Sequence, residues 1–331
     1  MNPIQPLSSR REINVAEPVS PALERVKQML FQPFDLGKWF VIGFCAWLAG
    51  LGESGGGGFN SGFNHGFNRG VQSDTSLRHA LEQARDYVTA NLYWIVPVAI
   101  GAVILLLTLG ILFLWLNSRG KFMFLHCVAL DRAEVVEPWN KFEREGNSLF
   151  VFRLVLGLCG TVLTLPLLLF IVVTIGRMIL RGEPDVAGIV LSIGLVLVLV
   201  GIAIVLAIIH KFTVDFVVPI LFLRGGKCLA AWREFYRLLA ANPGQFVLYL
   251  LFQIVLGMMI GIIVLGTILI TCCLAGCLMM LPYLGTVVLL PVLVFKRSYS
   301  AYFLAQFGAA YDVFPPPAKV PPPPDPLRQP A

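Results

Sequence analysis

Charge is what this chain has least of. Charged residues make up 13% of its 331 residues and hydrophobic ones 57%, where a soluble domain carries about 25% charge. So little charge excludes a surface that faces water throughout. Also missing is the alternation of apolar and polar residues in segments of about 10 that marks a transmembrane barrel. Residues 1–20 (MNPIQPLSSRREINVAEPVS) have no apolar stretch behind their charges, which excludes a secretory leader there. They are expected to be disordered.

Histidine is rare, with His65, His79, His126 and His210 the only four. None has a second His or a carboxylate at metal-ligand spacing. No nucleophile with an acid–base partner is visible. The expectation is a protein that is not an enzyme, with no metal, no cofactor and no nucleic-acid partner. The seven cysteines are odd in number and mostly scattered, which excludes a disulfide framework. Only Cys272, Cys273 and Cys277 cluster. Lacking a fourth ligand, they are expected to pack as small hydrophobes.

What the chain does have is long apolar runs. A spanning helix needs roughly 20 such residues, and six segments are expected to span: 36–51, 92–116, 149–175, 186–209, 246–270 and 284–295. The fold class is all-α, a polytopic helical membrane protein with one transmembrane domain over 21–310 and a Pro-rich tail over 311–331. That tail, PPPAKVPPPPDPLRQPA, cannot pack into a core and can offer a protein partner an extended segment.

Lys and Arg set the orientation, because cytoplasmic loops are enriched in them. With both termini inside, 19 of the 25 basic residues fall on the cytoplasmic side, 5 fall outside, and Arg153 lies within the third span. The run GFNSGFNHGFNRG at 58–70 then sits in an outer loop, 52–75. Lacking a Lys and a preceding strand, it does not match a phosphate-binding loop. It is expected to be a flexible connection.

A unit recurs on the cytoplasmic side. Lys121-Phe122 and Lys211-Phe212 each open an apolar stretch ending in Arg132 and Arg224. Trp139-x-x-Phe142 and Trp232-x-x-Phe235 follow, then Asn147 and Asn242, and then the next span. The repeat covers 117–180 and 210–272, and FKRSYSAYFLAQFG at 295–308 begins a third copy. In AAWREFYRLLAAN the apolar residues share one helical face, which predicts amphipathic helices lying at the membrane interface with Trp at headgroup depth. Residues 21–34 and 76–93 predict similar helices.

The stretch PILFLRGGKCLAAWREFYRLLAANPGQF, 219–246, resembles the membrane domain of bacterial glycerophosphoryl diester phosphodiesterases and related bacterial membrane proteins. The resemblance implies a helical fold in the bacterial inner membrane. It implies no phosphodiesterase activity, since the catalytic barrel has no room here.

Intramembrane charge is expensive and marks function. Arg153 is placed to snorkel to the interface, and Asp215 to pair with Lys211 at i,i+4. Candidate lipid or ion contacts are Lys121, Trp139, Arg153, Lys211, Asp215 and Trp232. Gly257-x-x-x-Gly261 and Gly157-x-x-Gly160 allow close helix packing or a homo-oligomer. The expected role is membrane organisation through interfacial helices that hold the bilayer's anionic headgroups. The alternative is a lipid or small-molecule transporter.

Overall fold

The computed structural model describes residues 13–52, 89–181, 186–271 and 281–314, with isolated positions at 83, 87, 276 and 279. The glycine-rich run, the cysteine cluster apart from its Gly276, and the proline tail from residue 315 lie outside the described residues. So do residues 1–12 and most of 76–93. Every described element is helical.

Two short helices come first, α1 (Val19–Phe31) and α2 (Leu36–Gly50). Asp35 caps α2 by accepting from the Gly37 amide at 2.8 Å. Then come α3 (Leu92–Leu130), the short α4 (Val136–Lys141) and α5 (Glu143–Arg181). Next is α6 (Val186–Phe212), which runs through a π-helical turn at Thr213–Val217 into α7 (Val218–Arg224). Finally come α8 (Cys228–Ala241), α9 (Pro243–Ile270), α10 (Pro282–Val288) and α11 (Leu290–Ala305).

Among the described residues, four helices are long and apolar enough to cross a membrane: α3, α5, α6 with its continuation, and α9. At 39 residues, α3 is about 58 Å long at 1.5 Å per residue. Their most apolar stretches are almost wholly exposed, a surface that suits lipid. Pro97 and Pro166 lie inside α3 and α5, as membrane helices tolerate.

The opposite halves are packed. From Asn117 to Ala129 every residue of α3 is buried. Phe122, Leu125 and Ala129 face one core with Phe216, Phe235, Phe246, Tyr249 and Phe303. Met123, Phe124, Cys127 and Val128 face another, built with α1, α2 and α11. An apolar run buried on all sides becomes a core helix, so the stretch after Lys121 continues α3. The stretch after Lys211 likewise continues α6.

The second half of α3 is also what α2 packs against. Lys38 Nζ meets Asp131 Oδ1 at 2.9 Å, and Asn117 Nδ2 donates to the Ala49 and Leu51 carbonyls, each at 2.7 Å. Thus α2 lies beside 117–131 and away from the exposed apolar part of α3. α10 lies on α2, with Tyr283 Oη donating to the Phe40 carbonyl at 2.8 Å. The helices of the first and sixth expected spans, α2 and α10 with the start of α11, are therefore covered on this side by the protein's own helices. At 15 residues and about 22 Å, α2 is also shorter than a bilayer core of about 30 Å.

The expected interfacial helices are turned inward. The apolar face of α8, with Ala231 and Phe235 buried and Trp232, Leu238 and Leu239 against them, joins the core. The Trp232 ring lies 5.8 Å from Phe152, and its Nε1 is buried with no hydrogen-bond partner among the described residues. Trp139 packs edge-on to Trp115 at 5.7 Å. Ala22, Val26, Met29 and Leu30 of α1 are buried as well. The physical reason is competition: an apolar face buries against whatever apolar surface is near, and here the protein's own helices supply it.

The first and last described segments share this region. Residues 13–18 precede α1 in ordered contact, the Val15 carbonyl accepting from Tyr299 Oη at 2.8 Å. Asn14 exchanges hydrogen bonds with Gln306. Phe314 stacks on Tyr302 at 4.1 Å.

Candidate functional site

A cavity of about 620 Å³ lies among α2, α3, α5, α6 and α11. Lys121 comes from α3, Arg153 from α5, His210 and Lys211 from α6, Asp215 from the π turn, and Lys296 and Arg297 from α11. Small residues of α2, Ala46, Ala49 and Gly50, form a low wall. Among the described lining residues, five Lys and Arg side chains and one His thus face a single carboxylate.

Three of these charges are deep, Lys121 at 4% exposed and Asp215 and Arg297 at 7%, while the Lys211 side chain is 39% exposed. Buried charge must be paired or hydrogen-bonded. Asp215 Oδ2 takes Lys211 Nζ at 2.8 Å and Tyr249 Oη at 2.9 Å, and Gln253 Nε2 donates on to Tyr249 Oη at 3.0 Å. Arg153 Nη1 donates to Asn117 Oδ1, which ties it to the end of α2. Arg297 Nη1 donates to the Val214 carbonyl inside the π turn at 2.6 Å. Single π turns within helices recur at functional sites, and this one carries Asp215.

Four of the six candidate residues meet here: Lys121, Arg153, Lys211 and Asp215. Trp139 and Trp232 do not. Instead, Trp139 and Trp115 hold the Arg119 guanidinium at 4.8 and 4.6 Å from their ring centres, and Glu143 pairs with it at 2.9 Å. Sequence reasoning missed His210, Lys296 and Arg297. The signal was in the repeat: the Lys that opens each copy, Lys121 and Lys211, and Lys296 of the partial third copy, line one cavity. The Phe beside each full-copy Lys, Phe122 and Phe212, goes to the core.

The fold also brings to one histidine carboxylates that chain spacing does not place beside it. His126, Glu134 and Glu137 each offer a ligand atom, and these atoms lie within 4.8 Å of one another. They are 8 and 11 positions apart in the chain, and only the turn after α3 brings them together. A hydrogen bond with Glu137, partial burial and the Glu137 charge hold the Glu134 carboxyl above the usual range, against the pull of Arg132.

Small-residue spacing is used unevenly. A Cβ on Gly160 would come within 3.0 Å of Leu206 in α6, whereas Gly157, Gly257 and Gly261 face open space.

Four long apolar helices on one side and a basic cavity within a packed helical end define a helical membrane protein. Residues 13–276 match the model of DUF7544, a family of unknown function, and the chain belongs to that family. No curated protein and no solved structure matches the chain.

Proposed function

We propose that the protein is a non-enzymatic integral membrane protein that holds an anionic, phosphate-bearing lipid headgroup in the cavity. The observation that carries this reading is the gathering of cationic side chains, Lys121, Arg153, Lys211, Lys296 and Arg297 with His210, around one cavity whose described lining holds one carboxylate, Asp215. Basic pockets between membrane helices suit phosphate headgroups, and Arg forks suit phosphate oxygens. The inward-turned amphipathic helices favour capture in this pocket over spreading on the bilayer surface. In the proposed orientation the packed end is cytoplasmic and both termini are inside, with a chain that passes the bilayer six times. On the likeness of 219–246 to the phosphodiesterase membrane domain, the membrane we propose is a bacterial inner membrane.

A second reading, transport of such a lipid or of a small anion, is favoured by the π turn at Asp215. The test uses the full chain in nanodiscs of phosphatidylcholine with 10–30% phosphatidylglycerol. Retained phosphatidylglycerol is counted by native mass spectrometry against the Lys296→Gln/Arg297→Gln variant. The parent should retain at least tenfold more. Equal retention removes the headgroup reading. Flux of labelled lipid in proteoliposomes, abolished by Asp215→Asn, would select transport.

A further inference from the structure

Away from the cavity, α3 ends in a sharp reversal. Asp131 takes a left-handed conformation, φ 58°, and the chain folds back over the last turns of α3. That return sets Glu134 and then Glu137, at the start of α4, against His126. The His126 imidazole is 0% exposed. It lies at an angle to the Phe142 and Phe222 rings, at 6.0 and 6.4 Å. Neither of its nitrogens has a hydrogen-bond partner among the described residues, and Glu134 Oε2 is a second buried polar atom without one. Buried polar groups are almost always satisfied. An imidazole with two unmet nitrogens beside two carboxylates lacks something that can accept both kinds of ligand.

We propose that His126, Glu134 and Glu137 form a binding site for a divalent transition-metal cation. One imidazole nitrogen with two carboxylates is the donor set of Zn²⁺ or Mn²⁺, and it excludes the thiolate-seeking Cu(I). Metal–ligand bonds of about 2.0–2.2 Å place ligand atoms roughly 3–3.5 Å apart. Small side-chain rotations close the present spread of up to 4.8 Å, and Glu137, the exposed member, provides the way in. Arg132 approaches the other oxygen of Glu134, Oε1, at 3.9 Å, and its side chain is 62% exposed. It leaves Oε2 to the cation. Three protein ligands leave room for water. The bound cation clamps the end of α3 to the connection carrying Trp139 and Phe142. This site is independent of the basic cavity.

The experiment uses the full chain purified in detergent, stripped with EDTA and titrated with Zn²⁺ alone and Mn²⁺ alone. Bound metal is counted after equilibrium dialysis. The expected result is micromolar or tighter uptake of a cation that Glu137→Gln weakens at least tenfold. His126→Asn should remove it, and His210→Ala should keep it. Glu137 is exposed, so its variant folds, and a far-UV circular dichroism spectrum checks that. Metal held by cysteines elsewhere survives in the Glu137→Gln variant and is subtracted. Unchanged uptake in Glu137→Gln, or no uptake below about 1 mM metal by the stripped parent, overturns the proposal.

Discussion

Two of the carbonyls that close α3, those of Val128 and Ala129, find their partner in one side chain. Arg25 donates from Nε and Nη2 to the Val128 carbonyl at 3.1 and 2.9 Å, and from Nη2 to the Ala129 carbonyl at 2.9 Å. Its guanidinium also lies 5.5 Å from the Phe314 ring centre. The last four carbonyls of a helix lack intrahelical donors and carry the negative end of its dipole. A forked cation answers both needs. Arg25→Ala should therefore destabilise the protein by about 1–3 kcal/mol, read as a fall in melting temperature in detergent. Arg25→Lys should recover only part, since an ammonium lacks the fork. An unchanged melting temperature for Arg25→Ala would remove the capping argument. Tyr249 is the second case. Tyr249→Phe deletes a donor to buried Asp215 and the acceptor of Gln253, and should lower stability by about 1–2 kcal/mol. A variant as stable as the parent would mean that Lys211 alone satisfies the carboxylate. Neither Arg25 nor Tyr249 stands out in the sequence, because their partners lie 103 and 34 positions away.

Between elements, the contact of α2 with α3 turns on Gly120. A Cβ there would fall 2.6 Å from the Leu48 carbonyl carbon and the Ala49 amide nitrogen. Backbone cannot swing aside as a side chain can, so the helices must separate. Gly120→Ala should cost about 1–3 kcal/mol, whereas Gly261→Ala, facing open space, should leave the melting temperature within about a degree. Equal effects from the two would contradict the close approach. The periodicity of α8 foretold its apolar face correctly, yet it could not say what that face meets. Trp232 was therefore expected among headgroups and lies against Phe152. The same limit applies to α2. An apolar run fixes that a helix avoids water, and length alone does not fix whether lipid or protein covers it.

For the molecule as a whole, polarity along the long axis is the main feature. Exposed apolar helices occupy one end. The other end gathers α1, α8, α11 and the described basic residues of both long connections. In the proposed orientation this end faces the cytoplasm. Single cysteines introduced into 58–70 and at the exposed Arg233, in a chain whose native cysteines are replaced, test it with a membrane-impermeant thiol reagent. The 58–70 position should label in intact cells, and Arg233→Cys only after permeabilisation. The reverse pattern would invert the molecule.

The class of protein was legible in the order of residues: apolar runs too long for a soluble core, four of them realised as long helices, and basic residues segregated between alternate runs. Local order carries that information, because hydropathy and helical period need only neighbours along the chain. The repeat, too, marked the Lys residues that converge. What each surface meets came from the packing of the whole chain. It turned the amphipathic faces inward, set α2 beside 117–131, joined Lys296 and Arg297 to Lys121 and Lys211, and folded Glu134 back onto His126. Such contacts join distant positions, and they are fixed by competition among all the apolar and charged surfaces at once.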